Sequence, residues 1–173
     1  MQYMERAYFA SGCFWCITPS FQEKVGVRKV ISGYSGGTEE NPTYQQVKNQ
    51  ETGHRETVMV EFNPDRITFR ELMDVFLSNV DPFDGGGQFI DRGFSYTLAV
   101  YYTSESQKEI AQEALSLLQN RSGQPVCIAL EPFRHFWEAE EYHQDYHKKN
   151  PDAFRQELLE SGRIKVISLN ETT

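Results

Sequence analysis

The spacing of apolar and polar residues changes period several times along the chain. Residues 6–10 and 57–62 alternate as half-buried strands do, and the second run ends at Asn63-Pro64-Asp65. The segments 27–34, 96–102 and 126–130 are also predicted to be strands, because they are rich in β-branched and aromatic residues. Helical periodicity appears between these segments, so the chain alternates between predicted strands and predicted helices.

Two capping boxes mark the starts of predicted helices. Thr68-x-x-Glu71 and Ser104-x-x-Gln107 each precede a stripe of apolar residues at helical spacing. Thr18-Pro19 also predicts a helix start, since Thr can cap and Pro is tolerated in the first turn. Residues 138–149 predict a polar helix that ends at Asn150-Pro151, and residues 153–161 predict a short helix. Strands alternating with helices in a small domain indicate a helix-covered sheet, α/β or α+β.

Length and charge narrow the class of protein. The 173 residues show no repeat and no linker, so we expect one domain over 1–173, with residues 163–173 a C-terminal tail packing on it. Asp and Glu total 25 against 17 Lys and Arg, a formal charge of −8. Such an acidic chain repels nucleic-acid phosphates and anionic lipids, so we expect neither nucleic acid nor membrane as a partner.

The cysteine count predicts a reducing compartment. Three cysteines are too few for a disulfide scaffold, and an odd, sparse set is typical of cytoplasmic proteins. Residues 1–9 are too short and too polar for a signal peptide, and no long apolar run follows. We therefore expect a cytoplasmic protein.

Cys13-Phe14-Trp15-Cys16 is the segment richest in chemistry. A thiol after a strand and at a helix mouth meets unpaired backbone N–H groups and a positive dipole end, which favour thiolate. A thiol three residues further on is near enough to form a disulfide. A buried, unreactive cysteine pair is the alternative that the motif alone leaves open.

Zinc binding and a thioredoxin-like fold are the competing explanations of this pair. His143 and His147 could complete a zinc site, but the gap from Cys16 is far longer than usual, and histidines in a polar helix normally face solvent. A thioredoxin-like fold needs a strand and a helix before its motif, and only twelve residues precede Cys13. We therefore predict no metal.

Several polar side chains are candidates for acid or hydrogen-bonding roles. Glu56 lies at the entrance of an apolar strand, where partial burial would raise its pKa. Tyr44 follows Asn41-Pro42-Thr43, and Asp91 and Tyr96 lie just before and at the start of a strand. Glu56 could equally be a solvated carboxylate, Tyr44 a packing ring and Asp91 a local turn contact, so none of the four residues carries a function by itself.

Seven sequence blocks occur in the order and spacing of one known family. They are Gly-Cys-Phe-Trp-Cys (12–16), Gly-Tyr-Ser-Gly-Gly (33–37), Asn-Pro-Thr-Tyr (41–44), Gly-His-Arg-Glu (53–56), Asp-x-Gly-x-x-Tyr (91–96), Tyr-Tyr-Thr-Ser-Glu (101–105) and Glu-Glu-Tyr-His-Gln (140–144). Together they resemble the A-type peptide methionine sulfoxide reductases. The resemblance implies an α+β fold, a two-layer sandwich of a mixed β-sheet with flanking helices on a ferredoxin-like core.

The resemblance also implies a reaction and its residues. Cys13 would attack the sulfur of the S-epimer of methionine sulfoxide, and Glu56 would donate a proton to its oxygen. Tyr44 and Tyr96 would hydrogen-bond that oxygen, Asp91 would orient the site, and Phe14 and Trp15 would receive the methyl group. A sulfenic acid would form on Cys13 and condense with Cys16, while Cys127 remains the other candidate for that step.

The implied partners follow from this cycle. Thioredoxin would reduce the disulfide, no cofactor would be needed, and the substrates would be oxidised proteins or peptides, with free methionine sulfoxide left open. The enzyme would act in protein repair, as a monomer. A redox-sensing or metal-binding module without enzymatic activity is the hypothesis from a different class, and stoichiometric zinc in the reduced protein would favour it.

Overall fold

Six strands form the central sheet of the protein, whose computed structural model describes residues 3–161. The strands of this sheet are β1 (Glu5–Ser11), β2 (Val27–Ser35), β3 (Arg55–Phe62), β6 (Leu98–Tyr102), β7 (Ile128–Pro132) and β8 (Phe136–Glu138), and a separate two-stranded ribbon holds β4 (Gly87–Gln88) and β5 (Asp91–Arg92). The spatial order is β7-β6-β1-β3-β2-β8. All neighbours are antiparallel except β6 and β7, so the sheet is mixed.

Six α-helices connect or flank the strands in the described part of the chain. They are α1 (Phe14–Gln22), α2 (Tyr44–Lys48), α3 (Phe69–Ser78), α4 (Glu105–Ser122), α5 (Tyr146–Lys149) and α6 (Pro151–Ser161). Short 3₁₀ turns occupy Phe94–Tyr96 and Glu141–His143. None of the described helices has the length and apolar character needed to cross a membrane.

The alternation of side chains along each strand divides the core into two parts. On β1, Ala7 and Phe9 belong to the large cluster that also contains buried residues of α1, α3 and α4. Their neighbours Tyr8 and Ala10 face the other side, where Tyr8 stacks on Phe133 with ring centroids 4.1 Å apart. The predicted α+β arrangement of a mixed sheet with flanking helices is therefore confirmed.

Aromatic side chains fill the space between the sheet and its helices. The ring of Phe9 lies 5.2 Å from that of Phe21 in α1, and 6.0 and 5.2 Å from those of Phe69 and Phe76 in α3. All four side chains are buried. Because aromatic rings at these separations pack favourably, this cluster fixes α1 against the sheet beside the end of β1.

One glycine is required by the close packing at the end of β2. Gly36 has a φ of +98°, a conformation that L side chains rarely adopt. A Cβ atom at this position would collide with the hydroxyl of Tyr101, which itself hydrogen-bonds Arg55 and the carbonyl of Ser35. A side chain at residue 36 would therefore displace a buried polar network.

Both predicted capping sites are confirmed. Thr68 accepts a hydrogen bond from the N–H of Glu71, and Ser104 accepts one from the N–H of Gln107. The carboxamide of Gln107 bonds the N–H of Thr103, one residue before the cap. The predicted strands are confirmed as well, although the two later ones begin at Leu98 and Ile128, each two residues further on than expected.

Two predicted helices are wrong in their bounds. The first helix begins at Phe14 and not at Thr18, so Pro19 lies inside it. The Thr18 hydroxyl donates to the carbonyl of Phe14, one turn earlier. Thr18 is thus a residue of the helix interior and not its cap. The helix predicted to start at residue 153 begins two residues earlier, because α6 starts at Pro151.

The predicted helix over 138–149 does not exist as one element. The segment consists of the end of β8, a 3₁₀ turn and the four-residue α5. Gln144 interrupts it, because its side chain bonds both the N–H and the carbonyl of Ser32 in β2. Asp145 then adopts a left-handed φ of +52°. The predicted tail over 163–173 lies outside the described residues.

Candidate active site

Cys13 lies where the central strand β1 passes into α1. Ser11, the last residue of β1, pairs with Leu98, and Gly12 turns the chain with a φ of +82°. Cys13 is then the N-cap residue of α1, and its side chain makes no capping hydrogen bond. The side chain is 5% exposed, so the sulfur is held inside the protein surface.

Cys13 and Cys16 are both free thiols, and their side chains interact. A side-chain hydrogen bond with Cys16 is the largest cause that raises the pKa of Cys13, followed by burial and by the nearby negative charges of Glu56 and Asp91. The expectation that the helix mouth favours a thiolate is therefore wrong for this state of the protein. The hydrogen bond with Cys16, burial and the neighbouring acids raise the pKa of Cys13 above its ordinary value, so Cys13 is a thiol before substrate binds.

Glu56 is the buried acid of the site. It is the second residue of β3, faces the helix side of the sheet opposite Tyr34, and is 1% exposed. Its Oε1 accepts a hydrogen bond from the backbone N–H of Phe14, the residue after Cys13, at 3.2 Å. Its Oε2 makes no hydrogen bond within residues 3–161. The first turn of α1 thus holds this carboxyl beside Cys13.

Burial raises the pKa of Glu56 from 4.5 to about 8. The N–H of Phe14 lowers it in part, and the charge of Asp91 raises it further. The carboxyl therefore carries its proton at neutral pH, which makes it a proton donor next to a sulfur atom.

Two tyrosines bring phenol groups to the same place from different elements. Tyr44 is the first residue of α2, behind a capping box formed by Thr43 and Gln46, and Tyr96 ends a 3₁₀ turn. Burial and the charge of Glu56 raise the pKa of both phenols, and Cys13 contributes to each shift. Both therefore stay protonated and can donate hydrogen bonds.

Asp91 and Glu157 place two carboxylates next to Cys13. Asp91 begins β5 and Glu157 lies in α6, both half-buried. One ligand atom from each of these three residues lies within 4.8 Å of the other two, close enough to hold a metal ion. In the described part of the chain, the ligand atoms of His143 and His147 do not join this group, so it is not the zinc site considered from the sequence.

Four rings form a wall beside the cysteines, here called the ring wall (Phe14, Trp15, Tyr44 and His143). His143 lies 4.3 Å from Tyr44, 5.2 Å from Phe14 and 5.5 Å from Trp15 between ring centroids. The indole N–H of Trp15 donates to His143 Nδ1 at 3.0 Å. Tyr146 stacks on Trp15, with the two rings 4.0 Å apart and nearly parallel.

His143 is a site residue that sequence reasoning misplaced. It is 1% exposed instead of facing solvent, and burial lowers its pKa to about 4 despite the charge of Glu140. The imidazole is therefore neutral and carries its proton on Nε2, because Nδ1 accepts from Trp15. The sequence did offer one indication that His143 belongs to the site, because it lies in the family block over residues 140–144.

Glu140 was also missed as a site residue. Its carboxylate accepts hydrogen bonds from the Tyr34 hydroxyl at 2.8 Å and from the Tyr44 N–H at 3.0 Å. It thus ties α2 to β2 and holds Tyr44 in the ring wall. Glu140 and Glu141 are adjacent in the chain, and the sequence does not indicate which of the two faces the interior.

Cys127 lies apart from the motif cysteines in sequence and is half-buried just before β7. Its N–H bonds the carbonyl of Pro82, and its thiol donates to the carbonyl of Phe83 at 3.5 Å. The strand predicted over 126–130 would have included Cys127, but β7 begins one residue after it.

The fold and the site are those of an oxidoreductase with a pair of thiols on an α+β scaffold. Comparison with known proteins identifies its family. The family model of peptide methionine sulfoxide reductase matches residues 5–172. The chain is 46% identical over 162 residues to peptide methionine sulfoxide reductase MsrA of Bacillus velezensis, covering 92% of this chain and 91% of that protein. It is 44% identical over 167 residues to the MsrA of Bacillus subtilis, covering 95% and 94%.

Solved structures show the same fold. Reduced Mxr1 of Saccharomyces cerevisiae superposes with a TM-score of 0.81 at 29% identity, covering 86% of this chain and 87% of that one. Methionine sulfoxide reductase A of Corynebacterium diphtheriae gives 0.76 at 30% identity, covering 86% and 76%. The chain belongs to the peptide methionine sulfoxide reductase family, A type, and is an enzyme that reduces methionine sulfoxide.

Proposed function

We propose that the enzyme reduces the S-epimer of methionine sulfoxide at Cys13, with Glu56 as the acid. The observation that carries this proposal is the buried, protonated Glu56 carboxyl, held by the N–H of the residue that follows the nucleophile. Sulfoxide oxygen leaves sulfur readily only when it is protonated. A carboxyl with a pKa of about 8 supplies that proton at neutral pH.

The two phenols and the ring wall would complete the pocket. Hydrogen bonds from Tyr44 and Tyr96 would stabilise negative charge on the oxygen as the sulfur is attacked. Phe14 and Trp15 would receive the methyl group on an apolar surface, and Asp91 would orient the substrate. Glu56 and Cys13 each raise the pKa of both phenols. The four groups are therefore close enough to interact, which supports this arrangement.

The atoms balance over the two steps that we propose. Oxygen passes from substrate sulfur to Cys13 sulfur, giving methionine and a sulfenic acid that keeps the proton of the thiol. The thiol of Cys16 then attacks that sulfenic acid, a disulfide forms, and one water leaves. The hydrogen bond between the two thiols supports Cys16 in this role. A dithiol reductant restores both thiols.

We propose thioredoxin as that reductant and oxidised proteins or peptides as substrates, with no cofactor. A solved complex of Mxr1 from Saccharomyces cerevisiae with Trx2 supports the thioredoxin partner; that chain matches with a TM-score of 0.57 at 22% identity. A cytoplasmic location, a monomeric state and a single catalytic domain over 1–173 stay predictions.

We also infer the finer architecture. In the strand order β6-β1-β3-β2 each strand is antiparallel to its neighbours, and α1 and α3 follow β1 and β3 in the chain. This order supports a ferredoxin-like core in a two-layer sandwich.

The test of the reaction uses separate S- and R-epimers of N-acetyl-methionine sulfoxide with dithiothreitol as reductant. We expect turnover of the S-epimer alone, and its loss in Cys13→Ser. Turnover of the R-epimer at a similar rate, or Cys13→Ser activity within a few-fold of wild type, would contradict the proposal.

The recycling step is tested by single turnover with thioredoxin. Cys16→Ser should release about one equivalent of methionine per chain and then stall, while the matched variant Cys127→Ser should continue. Stalling of Cys127→Ser with continued turnover of Cys16→Ser would assign the second thiol to Cys127.

A further inference from the structure

Gln50 follows α2 in a backbone conformation that usually belongs to glycine. The N–H of Glu51 bonds the carbonyl of Gln46 at 3.0 Å, and the N–H of Gln50 bonds the carbonyl of Val47 at 3.1 Å. These two bonds form a Schellman motif, whose left-handed position is most often a glycine. Gln50 occupies that position with a φ of +63°. Because a side chain at this φ strains the backbone, contacts of the glutamine must compensate for it.

The side-chain amide of Gln50 holds the segment that carries Tyr96. Its Oε1 accepts a hydrogen bond from the N–H of Ser95 at 3.0 Å, and its Nε2 donates to the Ser95 hydroxyl at 2.8 Å. This pair of bonds is here called the amide clamp. Ser95 is 1% exposed, so the clamp satisfies polar groups that solvent barely reaches. A Cβ atom at Gly93 would lie 2.8 Å from the amide, so the absence of a side chain there leaves room for the clamp.

The amide clamp joins the two elements that carry the phenols of the site. Tyr44 is the first residue of α2 and Gln50 follows its C-cap, whereas Tyr96 comes directly after Ser95. The side chains of Tyr44 and Tyr96 are hydrogen-bonded to each other. Gln50 and Ser95 are 45 residues apart in the chain. The same two elements are thus connected twice, once by the phenols and once by the amide clamp.

The reaction proposed above requires this connection to be accurate. Hydrogen-bond donors stabilise charge on the sulfoxide oxygen most when they are already in place before the sulfur is attacked. A misplacement of about 1 Å can lower the rate of an enzyme about a hundredfold. Tyr96 lies on a single 3₁₀ turn, which holds a side chain less firmly than a longer helix does. The position of its hydroxyl therefore depends on contacts made by neighbouring residues.

We propose that Gln50 is a positioning residue of the reaction, which holds the Tyr96 phenol beside that of Tyr44 through the amide clamp on Ser95. Gln50 affects the reaction only through Tyr96. The proposal rests on the proposed function, because it takes Tyr96 as a donor to the sulfoxide oxygen. The two hydrogen bonds of the amide offset the strained φ of Gln50, so the side chain is retained at a position that otherwise suits glycine.

The experiment measures kcat and KM for N-acetyl-L-methionine-(S)-sulfoxide with dithiothreitol in wild type, Gln50→Gly, Tyr96→Phe and the double variant. Glycine is the informative replacement, because it adopts a left-handed φ without strain, and this relief offsets the lost hydrogen bonds in the stability of the fold. The matched control is Gln45→Ala, which removes an exposed glutamine of α2 whose amide bonds Asn49. Urea denaturation reports the stability of each protein.

We expect Gln50→Gly to lower kcat about tenfold with KM changed less than about threefold, while its urea midpoint stays near the wild-type value. In the Tyr96→Phe background the same substitution should change kcat less than about twofold, because the hydroxyl that Gln50 positions is absent. Ser95→Ala breaks one of the two bonds and leaves residue 50 unchanged, and it should lower kcat about threefold. Gln45→Ala should match wild type.

The outcomes separate this proposal from the proposed function. Wild-type kcat in Gln50→Gly, together with impaired Tyr96→Phe, would overturn the positioning role and leave the reaction intact. An equal loss in both backgrounds would overturn it too, since Gln50 would then act independently of Tyr96. The same loss in Gln45→Ala would point to α2 as a whole and not to Gln50. Wild-type kcat in Tyr96→Phe would defeat the role of Tyr96 in the proposed function, and the positioning role with it.

Discussion

Replacing Glu56 by glutamine removes the acidic proton of this side chain and leaves its packing nearly unchanged. Glutamine has nearly the same shape, and its Oε1 can still accept the hydrogen bond from the N–H of Phe14. It cannot donate a carboxylic proton. We expect kcat to fall about 10²- to 10⁴-fold, the usual contribution of a positioned acid, with KM changed only a few-fold.

The same substitution has a measurable effect on stability because the pKa of Glu56 rises from 4.5 to about 8 on folding. The folded state binds this proton more tightly than the unfolded chain does. The stabilisation is therefore full below pH 4.5 and is lost as the pH rises through about 8. At about 1.4 kcal/mol per pKa unit, the loss between pH 5 and pH 9 is about 4 kcal/mol.

Urea denaturation of wild type and Glu56→Gln at pH 5, 7 and 9 measures this difference, and other titrating groups cancel in the comparison. As the pH rises, the free energy of unfolding of the wild type should fall. That of the variant should therefore increase relative to the wild-type value. Wild-type kcat should fall above pH 8 as the carboxyl ionises. A constant gap between the two proteins over this pH range would refute a raised pKa, and with it the acid role of Glu56.

Three further results are expected. Tyr34→Phe, which removes the hydroxyl bonded to Glu140, should lower the free energy of unfolding by about 1–2 kcal/mol in urea titrations; an unchanged midpoint would contradict this. Gly36→Ala should cost at least about 2 kcal/mol, because Tyr101 occupies the space of the new Cβ and φ is positive; a melting temperature equal to wild type would argue against it. Cys13 should react with iodoacetamide at pH 8 more slowly than free cysteine does, and faster reaction would show that its pKa is not raised.

The strands and the two capped helix starts could be predicted from the sequence because their causes are local. The strand period of residues 57–62 and the cap at Thr68 depend on neighbours within one turn or one pleat. The grouping of Cys13, Glu56 and Asp91 came from the family resemblance, and their spacing alone would not have brought them together.

The remaining features depend on contacts between distant segments. Gln144 looks like one polar residue in a polar helix, yet it bonds the edge of β2, 112 residues away, and thereby breaks that helix. His143 is buried as a consequence, because the broken segment turns its ring toward Trp15. Glu157 gave no signal at all, since nothing local marks an acid on α6 that meets Cys13.

The hydrogen bond from the Phe14 N–H to Glu56 couples two parts of the chain that are 42 residues apart. Because this bond joins the carboxyl to the residue after Cys13, a displacement of the first turn of α1 moves the carboxyl and the sulfur together. Loops around the pocket can therefore diverge between relatives, or be redesigned to accept other sulfoxides, while the reacting pair keeps its alignment.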